Sequence, residues 1–232
     1  MKLAGRWVLT AEAMRAADAH AIARLGGRTL MRRAGEAAAY AAMRLGDGPF
    51  VILCGPGNNG GDGFAAACTL AAQGKRVLCV ALSGPERLKG DPAHFAAEAK
   101  QLGAFLRGPE KLHAWLARGG VVIDAIFGAG LARPVGGVFA EAIAATKARG
   151  VPVLAVDLPS GIHTDTGKRL DEAIEATATL PIAAYKRGHF LGDGPAHAGR
   201  VLTPAPIGIL DEEIAEEGSR DPIRLVRPDA LA

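Results

Sequence analysis

Residues 50–72 read FVILCGPGNNGGDGFAAACTLAA, and this stretch holds the order of elements that decides the fold. The five apolar residues 50–54 predict a buried strand, the glycine-rich segment 55–63 predicts a sharp turn, and residues 64–72 predict a helix. A strand, a turn and a helix in this order form the unit from which parallel α/β sheets are built.

The same alternation continues on both sides of this unit. Two alanine-rich helices are predicted before it, within residues 10–46, with Thr10 as the N-cap of the first. Further strands are predicted at 76–82, 120–126, 152–156, 176–182 and 200–204, and further helices at 92–102, 138–149 and 211–217. Unbroken apolar strands that alternate with helices predict a mostly parallel sheet with helices on both faces.

The composition predicts the class and the compartment of the protein. The chain has 232 residues, of which 49% are hydrophobic and 22% charged, with a net charge of +3, as in a soluble globular α/β domain. Its three cysteines lie in apolar runs, which predicts free thiols in a reducing compartment. The start lacks the apolar core of a signal peptide, and no window approaches a membrane span, so we predict a cytoplasmic protein without membrane contact. Lysine and arginine are scattered, and therefore nucleic-acid binding is not expected.

The glycine-rich turn allows three interpretations. Residues 55–60 match the GxGxxG pattern of dinucleotide-binding proteins, but the next strand ends at Ser83-Gly84 without the acidic residue that would hold a ribose, which disfavours an ordinary dehydrogenase. The fuller segment 57–63 predicts an anion site, because glycines permit close backbone approach and positive φ, and helix N-termini attract phosphates. A purely structural turn with Asx caps is the third interpretation.

Two aspartates lie at the ends of buried strands, on either side of a second glycine-rich loop. Asp124 precedes the loop 126–130, and Asp157 precedes Leu158-Pro159-Ser160-Gly161. Parallel strands gather such residues at one edge of the sheet, so the pair indicates a site there. A structural Asp124 that caps loop amides is the alternative.

The basic and histidine-containing loops give weaker signals. The segment 186–189 is basic, which fits either a phosphate contact or a solvated turn. His163, His189 and His197 lack the spacing of metal ligands, and surface positions are expected for them.

Three segments together resemble the NAD(P)H-hydrate epimerase family. They are residues 57–64, 124–134 and 157–161, and residues 30–35 and 186–188 add to the likeness. The resemblance implies a Rossmann-like three-layer αβα sandwich whose N-terminal helices contribute to a homodimer. It implies an isomerase that interconverts the R and S epimers of NADHX and NADPHX at C6. An S-specific dehydratase, separate or fused, would then complete the repair of the nicotinamide cofactor.

The same resemblance implies a role for particular residues. The substrate would be held by Asn58, Asn59, Gly60, Gly61, Asp62, Gly128, Ala129, Gly130, Leu131, Ala132, Arg133 and Pro134. Asn59, Asp124 and Ser160 would ligate one potassium ion per subunit, and Asp157 would contact the substrate as the acid/base. Potassium is a hard cation that favours oxygen donors, which agrees with this set.

Some features depart from the family pattern or leave alternatives open. Arg32 stands where the family usually has an acidic residue, and Ala129 stands where threonine is common. The predicted domain spans residues 1–210, and residues 211–232 form an acidic tail or the start of a linker, so that a stand-alone protein and a piece of a bifunctional one both stay open. A non-catalytic scaffold that dimerises and contacts RNA is the rival function, against which the intact Asn59, Asp124 and Asp157 argue.

Overall fold

The architecture is described from a computed structural model that covers residues 6–117 and 120–225. The strands are β1 (Arg6–Leu9), β2 (Phe50–Cys54), β3 (Val77–Ala81), β4 (Phe105–Arg107), β5 (Val121–Ala125), β6 (Val153–Val156), β7 (Ala178–Leu180), β8 (Tyr185–Lys186), β9 (Arg200–Val201) and β10 (Arg224–Leu225). The helices are α1 (Ala11–Leu25), α2 (Gly27–Met43), α3 (Asn58–Ala72), α4 (Gly90–Gln101), α5 (Leu112–Leu116), α6 (Gly137–Lys147), α7 (Gly194–Ala198) and α8 (Asp211–Ser219).

A parallel sheet forms the centre of the described chain, in the strand order β4-β3-β2-β5-β6-β7-β9. Side chains alternate between its faces: Phe50 and Ile52 pack with α2, α3 and α4, whereas Val51 and Leu53 pack with α5 and α6. The predicted mostly parallel sheet with helices on both faces is therefore confirmed.

Short elements on the periphery were not predicted. β1, β4, β8 and α5 contain two to five residues each, which is too few for a hydrophobic period to emerge. β1 matters most for the site, because it pairs in parallel with β8 and places Leu9 beside Lys186. β10 covers the other edge of β1, so that β10-β1-β8 forms a small second sheet.

Helix α3 begins six residues earlier than predicted, at Asn58 rather than Phe64. The glycines at 60, 61 and 63 are therefore helical residues, and none of them has a positive φ. They serve close packing instead: a Cβ on Gly63 would lie 2.6 Å from the Ala125 Cβ, and one on Gly60 would overlap the Gly55 carbonyl oxygen. The helix N-terminus thereby reaches the edge of β2 and β5.

The alanine stripes of α1 and α2 are covered within this chain. Ala17, Ala34 and Ala38 are at most 1% exposed, and Gly35 lets α2 approach the backbone of α3 at Ala65 and Ala66. The burial of these stripes therefore gives no reason for a second copy to cover them, and the homodimer stays a prediction that rests on the family resemblance.

The departure at Arg32 is accommodated by α4. Its guanidinium pairs with Glu98 at 3.0 Å and lies 4.9 Å from the centre of the Phe95 ring. An arginine here therefore links α2 to α4 through an ion pair and a cation–π contact.

The acidic segment after residue 210 forms a helix, as predicted, and this helix packs against the rest of the fold. Helix α8 buries Ile214, Glu217 and Gly218, and Gly218 lies directly against Trp7 of β1. The sequence does not indicate this packing, because Ile214 is the one large apolar residue that the helix contributes to the core. The boundary at residue 210 stays a prediction, and of the linker-like end, residues 226–232 lie outside the described residues.

Two predictions from composition can be compared with the described residues. Cys54, Cys68 and Cys79 are buried free thiols, as predicted. In residues 6–117 and 120–225, no helix combines the length and apolar character that a bilayer crossing requires.

Candidate active site

A cleft of about 720 Å³ opens at the carboxyl edge of the central sheet. Its floor is the N-terminus of α3, one wall is the loop 126–133, and α1 and α2 form another wall. Parallel α/β sheets bind their ligands at this edge, as the strand-end aspartates predicted. The contribution of α1 and α2 to the cleft was not predicted.

Most of the predicted substrate-binding residues meet in this cleft. The residues that line it are Asn58, Asn59, Asp62, Gly128, Ala129, Gly130, Leu131, Ala132, Arg133 and Asp157. Gly60, Gly61 and Pro134 do not line it, and Asp124 and Ser160 are fully buried beneath it. The roles of all these residues remain predictions.

Asp157 forms a buried ion pair with Lys186, whose side chain is 1% exposed. The Asp157 Oδ1 atom accepts hydrogen bonds from Lys186 Nζ and from the Ile182 amide, and Oδ2 accepts one from the Ala129 amide at 3.0 Å. Lys186 Nζ also donates to the Ile182 carbonyl oxygen at 2.5 Å. Ala129 bonds to Asp157 through its backbone amide, so alanine in place of the common threonine leaves this hydrogen bond intact.

These contacts set the charge of Asp157. Burial alone would raise its pKa, but the Lys186 ammonium and the hydrogen bonds outweigh burial and hold the pKa below its usual range. The carboxylate therefore stays ionised, and its backbone has a φ of 69°, a left-handed conformation that aspartate tolerates better than most residues. An ionised carboxylate can stabilise a cation, whereas it is a poor proton donor.

The His189 ring is hydrogen-bonded to the backbone of both Asp157 and Lys186. Its Nδ1 accepts from the Lys186 amide at 3.0 Å, so Nε2 carries the proton and donates to the Asp157 carbonyl oxygen at 2.6 Å. Burial lowers the pKa of His189 to about 4 and keeps the ring neutral. The expected surface positions are wrong for His189 and His197, which are 1% and 9% exposed.

Lys186 is the site residue that sequence reasoning missed. The basic segment 186–189 predicts a phosphate contact or a solvated turn, whereas the structure makes Lys186 a buried partner of Asp157. Its position directly after Ala184-Tyr185, both buried, is the available signal, because a lysine in an apolar surrounding needs a counter-ion.

Asp124 has the structural contacts of a loop cap. It is fully buried at the end of β5 and accepts bonds from the Ser160 amide at 2.8 Å, the Ser160 hydroxyl at 2.6 Å and the Ile126 amide at 3.2 Å. Burial outweighs these bonds and raises its pKa to about 6. The structural alternative for this residue is thus present, whether or not an ion also binds.

Asn59 supplies the observation that points to an ion. Neither polar atom of its buried amide has a hydrogen-bond partner among the described residues. The amide oxygen lies close to Gly128, whose Cβ would stand 3.2 Å from Asn59 Oδ1 and 3.0 Å from Asp157 Oδ2. A buried amide left unpaired costs about 1–3 kcal/mol, which a ligand would recover.

The donor set fits a monovalent cation. The predicted ligands are one carboxylate, Asp124, and the neutral oxygens of Asn59 and Ser160. No cluster of three His, Cys, Asp or Glu that could hold a metal occurs in the described part of the chain. Hard oxygen donors with a single negative charge suit potassium better than a divalent or a soft metal.

Three further carboxyl groups line the cleft, and that of Asp91 is paired with Arg28 at 3.0 Å. Asp62 of α3 and Asp18 of α1 are half-buried, and neither carboxyl has a hydrogen bond or ion pair among the described residues. Burial is the first cause that raises the pKa of Asp62 well above its usual value and that of Asp18 to about 6. Asp18 was not predicted, although it follows Met14 and Ala17 on the buried side of α1.

Comparison with known proteins identifies the family of this chain. Residues 27–188 match the family model described as YjeF-related protein N-terminus. The NAD(P)H-hydrate epimerase of Limosilactobacillus fermentum is 36% identical over 208 residues, which cover 86% of this chain and 97% of that protein. The NAD(P)H-hydrate epimerase of Bordetella bronchiseptica is 40% identical over 191 residues, with 77% and 82% covered.

Other relatives are longer than this chain. The bifunctional NAD(P)H-hydrate repair enzyme Nnr of Salinibacter ruber is 38% identical over 213 residues, which cover 84% of this chain and 39% of that protein. The chain thus spans about two fifths of the length of the bifunctional relatives.

A solved structure supports the fold. The crystal structure of yeast ynu0, YNL200c, matches with a TM-score of 0.69 at 21% identity, over 78% of this chain and 82% of that one. The predicted isomerase class agrees with the names of the epimerase relatives. From the family model over residues 27–188 and these identities, the chain belongs to the family of YjeF-related protein N-termini.

Proposed function

We propose that this chain is an NAD(P)H-hydrate epimerase that interconverts the R and S epimers of NADHX and NADPHX at C6. Relatives with that printed name match nearly their whole length at 34–36% identity. The single observation that carries the proposal is the Asp157 carboxylate, which Lys186 holds ionised in a cleft beside a helix N-terminus. The cleft of about 720 Å³ is large enough for much of a dinucleotide.

The N-terminus of α3 is the proposed pyrophosphate site. The amides of its first residues, from Asn58, have no helical carbonyl partner, and the helix dipole adds positive potential there. Arg133 on the facing loop and Arg15 on α1 also line the cleft and add positive charge. Two phosphates would therefore lie at the floor, which directs the nicotinamide portion toward Asp157 and Lys186.

The proposed chemistry proceeds through a planar cation. When the hydroxyl oxygen at C6 is protonated, the lone pair of N1 expels it as water, and the C6=N1 iminium can take up water from either face. The Asp157 carboxylate would contact the ring and stabilise this positive charge. Because Asp157 is a poor proton donor in this setting, the structure favours an electrostatic role for it over the acid half of the expected acid/base role.

A ring-opening route is the chemical alternative. The ring would open to an aldehyde and close again after rotation, without loss of the oxygen from C6. Reaction in ¹⁸O-water separates the two routes at times shorter than aldehyde hydration: one label per inversion supports the iminium, and inversion without label contradicts it.

Potassium is proposed as the bound cation. Asn59, Asp124 and Ser160 would hold it, and the ion would supply a fixed positive charge near the phosphates. The unpartnered Asn59 amide supports this assignment, since its oxygen is otherwise unsatisfied.

The proposed assembly and location follow the family. We propose a homodimer, a dehydratase partner and a cytoplasmic location. The dehydratase partner is supported by relatives whose printed name is bifunctional NAD(P)H-hydrate repair enzyme. Light scattering tests the dimer: a mass of about 24 kDa at micromolar concentration contradicts it, given a chain of 23.8 kDa.

A coupled assay tests the activity. A mixture of R and S epimers with an S-specific dehydratase should lose R faster when this protein is added, whereas a scaffold would leave the rate unchanged. Asp157→Asn should lower the rate by about 10²–10³-fold, the usual effect of removing one electrostatic contact to a developing charge. The matched control is Asp171→Asn, which changes an exposed aspartate with a similar φ of 67° outside the cleft and should retain the wild-type rate.

A further inference from the structure

The N-terminal helix brings a carboxyl group into the cleft that the proposed mechanism has not used. Asp18 of α1 lines the cleft and is half-buried. The charged groups that act on it are the Lys186 ammonium of β8 and the Asp157 carboxylate at the end of β6, and Asp62 of α3 lies close enough to feel its charge. Asp18 lies outside residues 27–188, which match the family model.

The proposed reaction needs a proton that these neighbours do not readily supply. Asp157 is held ionised, and the Lys186 ammonium is engaged by the Asp157 carboxylate and the Ile182 carbonyl oxygen. His189 is neutral, and its Nε2 proton is committed to the Asp157 carbonyl oxygen. The carboxyl of Asp91, which also lines the cleft, is paired with Arg28. The proton must therefore come from a cleft group without such a commitment, which leaves the carboxyls of Asp18 and Asp62.

The positions of the two carboxyls separate their roles. Asp62 lies in the second turn of α3, in the segment proposed to hold the pyrophosphate. Asp18 lies on another wall, and Lys186 and Asp157, the pair proposed to contact the ring, are the charges that act on it. A carboxyl with a pKa of about 6 is populated in both protonation states near neutrality, which suits a group that gives and regains a proton in each turnover.

We propose that Asp18 is a catalytic residue whose carboxyl donates a proton to the C6 oxygen of the hydrated nicotinamide and regains one from the water that adds back. In the first step, the O–H bond of Asp18 breaks as the C6–O bond breaks, water leaves, and the N1 lone pair forms the iminium. In the second step, water adds to C6 and its proton passes to the Asp18 carboxylate. Protons and electrons balance without a further reagent, and the inference rests on the proposed function.

The test compares two carboxyl-to-amide changes on the same helix. Asp18→Asn removes the transferable proton, whereas Glu12→Gln changes an exposed residue of α1 outside the cleft. We expect Asp18→Asn to lower kcat by about 10²–10⁴-fold, the typical contribution of a general acid, and Glu12→Gln to retain wild-type kcat. NADPH serves as a stable binding probe, and its Kd should change less than threefold in both variants.

A pH profile and chemical rescue distinguish catalysis from a structural role. After subtraction of the spontaneous rate, wild-type kcat/KM should rise as the pH falls through about 6, and the profile of Asp18→Asn should be flat. Formate should restore part of the rate of Asp18→Ala, normalised to the fraction that binds NADPH, so that incomplete folding does not hide the result.

The outcomes separate the inference from the function on which it rests. A wild-type protein without epimerase activity overturns the proposed function. Wild-type activity with an unchanged kcat in Asp18→Asn overturns the inference alone. A loss confined to Asp62→Asn, or a loss in Asp18→Ala that formate does not restore, assigns the proton to another group and also overturns it.

Discussion

Replacing Lys186 by methionine removes an ammonium group that is almost completely buried and leaves the Asp157 carboxylate without its cation. Breaking a buried ion pair from one side costs about 3–5 kcal/mol. We expect the lower end, about 3 kcal/mol, because the amides of Ala129 and Ile182 still donate to the carboxylate. For a chain of this size, the melting temperature should fall by roughly 6–12 °C.

The pH dependence of this loss has a definite sign. In the wild type, the folded-state pKa of Asp157 lies below the unfolded value of 3.8, so its stabilisation is complete above that value and is lost only as the pH falls through the folded-state pKa. In Lys186→Met, burial acts without the ammonium and raises the folded-state pKa, so stability is lost as the pH rises through it. The difference in the free energy of unfolding between the variant and the wild type should therefore become smaller as the pH falls from 7.5 to 5.

Urea unfolding followed by circular dichroism measures both effects in the wild type, Lys186→Met, Asp157→Asn and the double variant. The double variant leaves no uncompensated charge, so it should be less destabilised than the sum of the two single changes by about 2 kcal/mol or more. Additivity within about 0.5 kcal/mol, or a difference that does not depend on pH, would refute the reasoning.

Two further predictions concern the ion and the core. With potassium at about ten times its Kd, the melting temperature of the wild-type protein should be roughly 3–6 °C higher in potassium chloride than in tetramethylammonium chloride. Asn59→Ala should abolish this difference, whereas Asn58→Ala, which changes an exposed neighbour, should keep it. Equal melting temperatures of the wild type in the two salts would exclude the ion. Gly35→Ala should lower the free energy of unfolding in urea by about 1–3 kcal/mol, because its Cβ would lie 2.6 Å from backbone atoms of α3. Gly136→Ala is the control: its Cβ would have open space around it, and stability should change by less than about 0.5 kcal/mol.

The central sheet could be predicted because its strands are buried on both faces. The strands β2, β5 and β6 contain four or five consecutive buried residues each, so their apolar runs stand out without any knowledge of their neighbours. The position of the cleft followed from the same strands, since Asp124 and Asp157 come at or just after their carboxyl ends.

The remaining elements depend on contacts between distant parts of the chain. The start of α3 was misplaced because a run of glycines is typical of a loop, and only the close approach of Gly55 and Ala125 explains why glycines occupy a helix there. Lys186 and Asp18 are single polar residues whose meaning appears only when β8 and α1 are brought to the end of β6. A local pattern can indicate that each residue has apolar neighbours, but it cannot show that both lie near Asp157.

The small outer sheet connects the ends of the chain to the proposed chemistry. β1 pairs with β8 in the register Leu9 to Lys186, and β1 in turn packs against α8 and pairs with β10. The same segment leads directly into α1, which brings Asp18 to the cleft and whose first amide is held by Asp165 at 2.7 Å. The register of β1 therefore positions both the lysine that keeps Asp157 ionised and the helix that brings the proposed proton donor. A substitution that shifts β1 should alter the reaction without touching any residue that lines the floor of the cleft.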